Sequence, residues 1–209
     1  MAKASKPLLL DIPVVLRSLS DVIGRYDAVL VDQFGVLHNG VQAIEGSVEV
    51  IENLRNLGKP IIILSNTSKR KSYVQKLLQN LGFGEVDDIC CSGEMAYHHI
   101  DQNYKGKKCC FVTWSEESRL SENWMQGLDI ELSTADHADF ILFHGTQSIV
   151  TSASQPGTPI TFFSTGIHDE TLLELMNAAV RKDITAICAN QDFTAVQNTG
   201  NVKKLHCKL

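Results

Sequence analysis

DAVLVDQFGVLHNG, residues Asp27–Gly40, is the stretch on which the fold turns. Its opening run, Asp27–Val31, is short and almost continuously apolar, the pattern of a strand buried on both faces. Asp32 stands directly at its end, with Gly35 close behind. After a turn at Asn39-Gly40, the segment Glu45–Leu57 places Val48, Ile51, Leu54 and Leu57 on one helical stripe, ended by Gly58. Pro60–Leu64 (PIIIL) reads as a second buried strand. Ser68 then suits the cap of a helix running to Leu81, with Val74, Leu77, Leu78 and Leu81 on one side and Gly82 at its end. Strand–helix–strand–helix implies a parallel sheet with right-handed crossovers. Such sheets bind ligands at the C-terminal ends of their strands, where Asp32 and the pair Ser65-Asn66 both fall.

A second set of alternating elements begins near Asp87. Ser92 can cap a helix to about Asn103, followed by a strand at Lys108–Thr113 and a helix at Glu116–Gln126. Asp129–Leu132 and Ala138–Phe143 are two further strands, with a turn at Thr134–His137. Thr146–Pro159, rich in Ser, Thr, Gly and Pro, reads as a loop or insertion, and Pro159–Phe163 as an extra strand. Asp169 opens a helix with Leu172, Leu175, Met176 and Ala179 on its inner stripe. Ile184–Ala189 is read as the last strand, and Gln191–Leu209 shows little periodicity. The expected division is therefore 1–86, 87–192 and an irregular tail over 193–209.

Composition narrows the function classes. The 209 residues are 44% hydrophobic and 21% charged, ordinary for a globular protein. A formal charge of −5 offers no broad basic surface to phosphate backbones, so no nucleic-acid partner is expected. The basic run Lys69–Lys71, at a helix start, reads as a solvated face, with a phosphate clamp as the rarer alternative. No apolar run approaches bilayer length, and Leu8–Leu10 is too short for a signal peptide. A cytoplasmic protein with no membrane partner is the expectation. The six cysteines, at 90, 91, 109, 110, 188 and 207, have neither zinc-site nor secreted-disulfide spacing and read as reduced and structural. Oligomeric state is open.

An aspartate held at the end of a buried strand can act as a nucleophile, with nearby backbone N–H groups cradling a phosphate oxygen. One carboxylate oxygen can attack phosphorus while the other binds Mg²⁺. The alternative is an aspartate that merely caps the following turn. The segment VLVDQFGVLHNG, Val29–Gly40, resembles the first motif of the haloacid dehalogenase-like superfamily, a strand leading into DxDGxL. IILSNTS, Ile62–Ser68, is similar to its second motif, and SNTSKR to the subfamily IIA branch of nitrophenyl-phosphatase-like and NagD-like enzymes. The order EVDDICCSGEMA, GKKCCFVTW, ADFILFHGT, ICANQDF resembles the α/β cap that this branch inserts after the second motif. The resemblance covers most of residues 25–202. It implies an α/β fold: a partial Rossmann-like parallel-sheet core over 1–86 with an inserted α/β cap over 87–192.

The same resemblance implies Mg²⁺-dependent hydrolysis of a small phosphorylated metabolite through an aspartyl-phosphate. Asp32 would be nucleophile and metal ligand, and the Phe34 backbone carbonyl a second metal ligand. Ser65 would hydrogen-bond the phosphoryl group with Asn66 beside it, and Asn190 and Asp192 would lie near the substrate. For Ser65 the alternative is a helix-capping hydroxyl, and for Asn190 and Asp192 an ordinary turn. Two departures weigh on activity. Phe34 occupies the position of the family's second Asp, the general acid and base, whose loss costs about 10²–10⁴-fold. The lysine and the GDxxxxD-like acidic loop that follow the cap in the family have no counterpart in this sequence, which reads as truncated or alternatively spliced. The expectation is a weakened or inactive phosphohydrolase, or else a non-catalytic protein that keeps the pocket to bind a phosphate ligand or to regulate. A receiver-domain reading fits less well, because its acceptor Asp follows a third strand.

Overall fold

A computed structural model describes residues 15–192, 194–199 and 202–207. The first sheet is built from β1 (Val29–Val31), β2 (Ile61–Ser65) and β3 (Asp88–Cys91), in that order and all parallel. Helices α1 (Ser47–Asn56) and α2 (Lys71–Asn80) make the two crossovers. Both crossovers step in the same direction along the sheet, so a right-handed connection puts both helices on one face. There Ile51 and Leu54 of α1 and Val74 and Leu78 of α2 pack with Ile61, Ile63, Ile89 and Phe83. On the opposite face Leu30 and Leu64 remain 65% and 51% exposed. Parallel sheets are normally covered on both faces, and among the described residues this one is covered on one.

The sheet extends past the expected boundary at residue 86. After α2 the chain returns beside β2, pairing Ile63 with Ile89 and Ser65 with Cys91, so β3 belongs with the first two strands. Helix α3 (Ser92–Asn103) follows at once and leads into a six-stranded sheet. Its strands are β4 (Lys107–Thr113), β5 (Ile130–Leu132), β6 (Phe140–Phe143), β7 (Ser148–Val150), β8 (Thr158–Pro159) and β9 (Thr185–Cys188). The order is β8-β7-β4-β6-β9, with β5 also on β4. β4 is buried on both sides. Cys109 and Phe111 face α3 with Ala96 and Ile100, while Cys110 and Val112 face α6 (Glu170–Lys182) with Leu172 and Leu175. That sandwiching explains its unbroken apolar run. Of the described cysteines, Cys90 and Cys188 are exposed and Cys91, Cys109 and Cys110 buried.

Several expectations change. Thr146–Pro159 is not only a loop: β7 runs antiparallel to β4 with every residue buried. A strand of three residues is too short to show a period. Pro159–Phe163 divides between the end of β8 and a short helix, α5 (Phe162–Thr165). On α6 it is Ala178 that is buried with Leu172 and Leu175, while Met176 is 37% exposed. The tail is not irregular throughout. Its backbone forms an antiparallel hairpin of β10 (Thr194–Thr199) and β11 (Val202–Cys207). The intervening Gly200-Asn201 is a hairpin-type dipeptide, but mostly polar strands on either side carry no hydrophobic alternation to announce it.

Ser68 does not cap α2. The helix has Arg70 at its N-cap with no side-chain cap, and its first free N–H, on Lys71, donates to Glu94 Oε2 of α3 at 2.8 Å. Ser68 turns inward instead, its hydroxyl accepting from Trp114 Nε1 (3.2 Å) and its carbonyl from Trp124 Nε1 (2.8 Å). Gly93 lets α3 press against this turn, since a Cβ there would stand 2.0 Å from the Ser68 carbonyl oxygen. The core's second strand-end turn is thereby clamped to the second sheet.

Candidate active site

Asp32 leaves β1 exposed at the C-terminal edge of the sheet, its Oδ1 accepting from the N–H of Gln33 at 2.8 Å. The chain then turns tightly: Leu37 N–H donates to Gln33 O, and Gly35 N–H to His38 O, both at 2.8 Å. Gly35 sits at φ +82°, a conformation that glycine adopts without steric cost. This turn swings Gln33 and His38 inward, where they are 4% and 3% exposed, and leaves Phe34 half-exposed. Ser65 ends β2 as a buried hydroxyl. Asn66 follows, its amide donating to Asp192 Oδ1 from the far side of the sequence. The N–H of Asp192 in turn donates to Asn190 Oδ1 at 2.8 Å, so the two form one local turn.

A cavity of about 530 Å³ gathers these groups. Asp32, Phe34, Ser65, Asn66, Asn190 and Asp192, all named from the sequence, line it together. So do Gln33, His38 and Lys69, which were not given site roles. Lys69 is the larger surprise, because its basic run reads as a solvated face. Its Nζ instead pairs with Glu122 of α4 (Glu116–Glu122), with side chains 24% and 6% exposed. Burial pushes the Lys69 ammonium down to about 8. The ammonium also lies 5.2 Å from the Tyr73 ring centroid. The neighbours Arg70 and Lys71 pair with Glu94 and Asp88.

Behind Glu122 lies His144, wholly buried, with Nε2 3.6 Å from Glu122 Oε2 and Nδ1 2.9 Å from the Thr113 hydroxyl. Burial first, then the charge of Lys69, holds this imidazole down at about 3, against a backbone hydrogen bond at Ser68. The negative charge of Glu122 is already matched by Lys69. An imidazole whose folded pKa lies below its unfolded value of 6.5 binds fewer protons in the native state between those limits. Stability contributed by neutral His144 is therefore present above pH 6.5 and lost as pH falls toward 3, by up to about 1.4 kcal/mol per unit. Urea unfolding between about pH 4 and 6.5 is expected to show that slope, and His144→Gln to flatten it. Equal slopes would remove His144 from the account.

Asp32 offers a carboxylate at the cavity, which Phe34 also lines. Among the described residues no group of three or more His, Cys, Asp or Glu side chains is placed to hold a metal. A carboxylate is a ligand type that hard cations such as Mg²⁺ accept, and one alone would not hold such an ion tightly. No helix among the described residues is long and apolar enough to cross a membrane.

A sequence profile of the haloacid dehalogenase-like hydrolases matches residues 29–123. Human chronophin is 41% identical over 68 residues, 32% of this chain and 23% of its own. Sugar-phosphatase AraL of Bacillus subtilis (strain 168) is 32% identical over 116 residues, 54% of this chain and 42% of its own. The chain thus spans less than half the length of either relative. A solved haloacid dehalogenase-like hydrolase from Brucella suis 1330 superposes with a TM-score of 0.69 at 22% identity. It covers 93% of this chain and 66% of its own, a likeness of fold. The matched stretch, 29–123, carries Asp32 and Ser65 at its strand ends, and over it the chain is similar to the haloacid dehalogenase-like hydrolases.

Proposed function

We propose that the cavity at Asp32 is a phosphoryl-transfer site for a small phosphorylated metabolite, hydrolysed through an aspartyl-phosphate. The observation that carries this reading is the meeting of Asp32, Ser65 and Asn66 with Asn190 and Asp192 around one cavity at the strand ends. Asp32 Oδ1 is held by the Gln33 N–H, which fixes the carboxylate's direction for attack on phosphorus. Ser65 donates to a phosphoryl oxygen, and Asn66, tied to Asp192, shapes the mouth of the site. Asp32 and the Phe34 carbonyl would hold Mg²⁺, which supplies charge neutralisation for the transferring group. Lys69 lines the same cavity with its ammonium paired to Glu122. The name of the Bacillus subtilis relative, a sugar phosphatase, agrees with this class of substrate.

Phe34 favours a second reading. A phenyl ring cannot protonate a leaving group, so the same cavity suits a protein that binds a phosphate ligand with slow turnover or none. One experiment separates the two. The purified chain with Mg²⁺ is given p-nitrophenyl phosphate and, separately, inorganic phosphate. Release of nitrophenol supports the enzyme; phosphate-dependent thermal stabilisation without release supports the binding protein. Neither effect in a cooperatively folded sample would defeat both.

A further inference from the structure

The inward turn after Asp32 carries two polar side chains that the proposed reaction does not use. Gln33 and His38 are more deeply buried than Asp32 itself, and they are joined in a line that ends on Ser65. The direction of every hydrogen bond in that line follows from one backbone group. The N–H of Gly40 donates to His38 Nδ1 at 3.0 Å, and a backbone N–H cannot act as acceptor. His38 Nδ1 is therefore the bare nitrogen, and the neutral ring carries its proton on Nε2. That proton faces Gln33 Oε1 at 3.4 Å. With its oxygen so occupied, Gln33 presents its amide nitrogen to Ser65 Oγ, at 2.7 Å. The N–H of Thr67 also donates to Ser65 Oγ, at 3.3 Å. Both lone pairs of the hydroxyl are then taken, and its own proton is left to point away from Gln33 and Thr67.

We propose that Gln33 and His38 are positioning residues that aim the Ser65 hydroxyl proton into the cavity, where it meets a phosphoryl oxygen. The inference rests on reading the cavity as a phosphate site. A serine hydroxyl rotates freely and can be donor or acceptor, so an anion gains most from it when other groups donate to its lone pairs and none competes for its proton. The relay supplies that condition before ligand arrives, which is preorganisation in the sense that matters for binding. A Gln33 turned the other way would compete with the phosphate for the same proton.

Gln33→Glu tests this with almost no change of shape. Glutamate has only acceptors to offer, so one oxygen keeps the His38 bond and the other draws the Ser65 proton inward. The dissociation constant for inorganic phosphate, and KM for p-nitrophenyl phosphate, are expected to rise about tenfold, with kcat changed much less. The added charge could repel phosphate by itself, and a double-mutant cycle removes that ambiguity. If Gln33 acts through the hydroxyl, adding Gln33→Glu to Ser65→Ala costs little more than Ser65→Ala alone; costs that add overturn the inference. A second measurement needs no ligand. ¹⁵N NMR of the folded wild-type chain is expected to show His38 protonated on Nε2, and a proton on Nδ1 would overturn the relay directly. Wild-type binding or turnover of phosphate with additive costs defeats this inference alone. A folded wild-type chain that neither binds phosphate nor hydrolyses the ester defeats the phosphate-site reading as well.

Discussion

Phe34→Asp is expected to raise phosphate release from p-nitrophenyl phosphate by about 10²–10⁴-fold, the contribution typical of a positioned general acid. Position 34 is two residues beyond the proposed nucleophile, and the residue there lines the same cavity. The phenyl ring there meets His38 edge-on, with centroids 6.2 Å apart, and is half exposed. The turn that presents it is held by backbone bonds, Gly35 to His38, Leu37 to Gln33 and Ile44 to Leu37, none of which needs the ring. The variant should therefore fold, and a carboxyl group in that place could protonate a leaving oxygen and then activate water. Adding Asp32→Asn is expected to return release to the background rate, because an amide does not attack phosphorus. A stable Phe34→Asp protein with no gain would show that more than the acid is missing. A gain that survives Asp32→Asn would remove Asp32 from the mechanism.

The second large effect is on stability. Glu122→Gln is expected to cost about 3 kcal/mol in denaturant unfolding, the lower end of the range for breaking a buried ion pair. The lower end applies because Lys69 keeps a quarter of its side chain exposed, while Glu122 is almost wholly buried. The substitution strands an ammonium that burial already pushes down to about 8. It also leaves His144 Nε2 without its acidic neighbour. Removing both charges together, as Lys69→Met with Glu122→Leu, is expected to recover most of the loss, since two matched apolar groups carry no desolvation penalty. The pair bridges the strand-end turn of the first sheet and α4 of the second, so the single variant should loosen their junction. If Glu122→Gln unfolds at the wild-type midpoint, the pair is solvated in solution and contributes nothing to that junction.

Local pattern was enough for the strand-end positions of the candidate site. Asp32 and Ser65 stand at the ends of short apolar runs, and the two helices between and after them have single stripes closed by Gly58 and Gly82. Those features arise within a dozen residues, where the strand and helix periods and the turn residues act. Asn190 and Asp192 came from a resemblance, and they line one cavity with Asn66. The strands β7 and β10–β11 were not legible, one being too short for a period and the others too polar.

What the sequence by itself determined, then, is the alternation that makes a parallel sheet and puts a carboxylate and a hydroxyl on its ligand-binding edge. Only the tertiary structure decided that Lys69 leaves the solvent for Glu122, 53 residues away. It alone decided that Ser68 faces Trp114 and Trp124 rather than capping a helix, and that Gln33 and His38 turn inward to Ser65. A charge, a hydroxyl or an amide has no side of its own in a linear pattern. Which way it points depends on the partner that satisfies it when water is removed, and those partners come from distant parts of the chain.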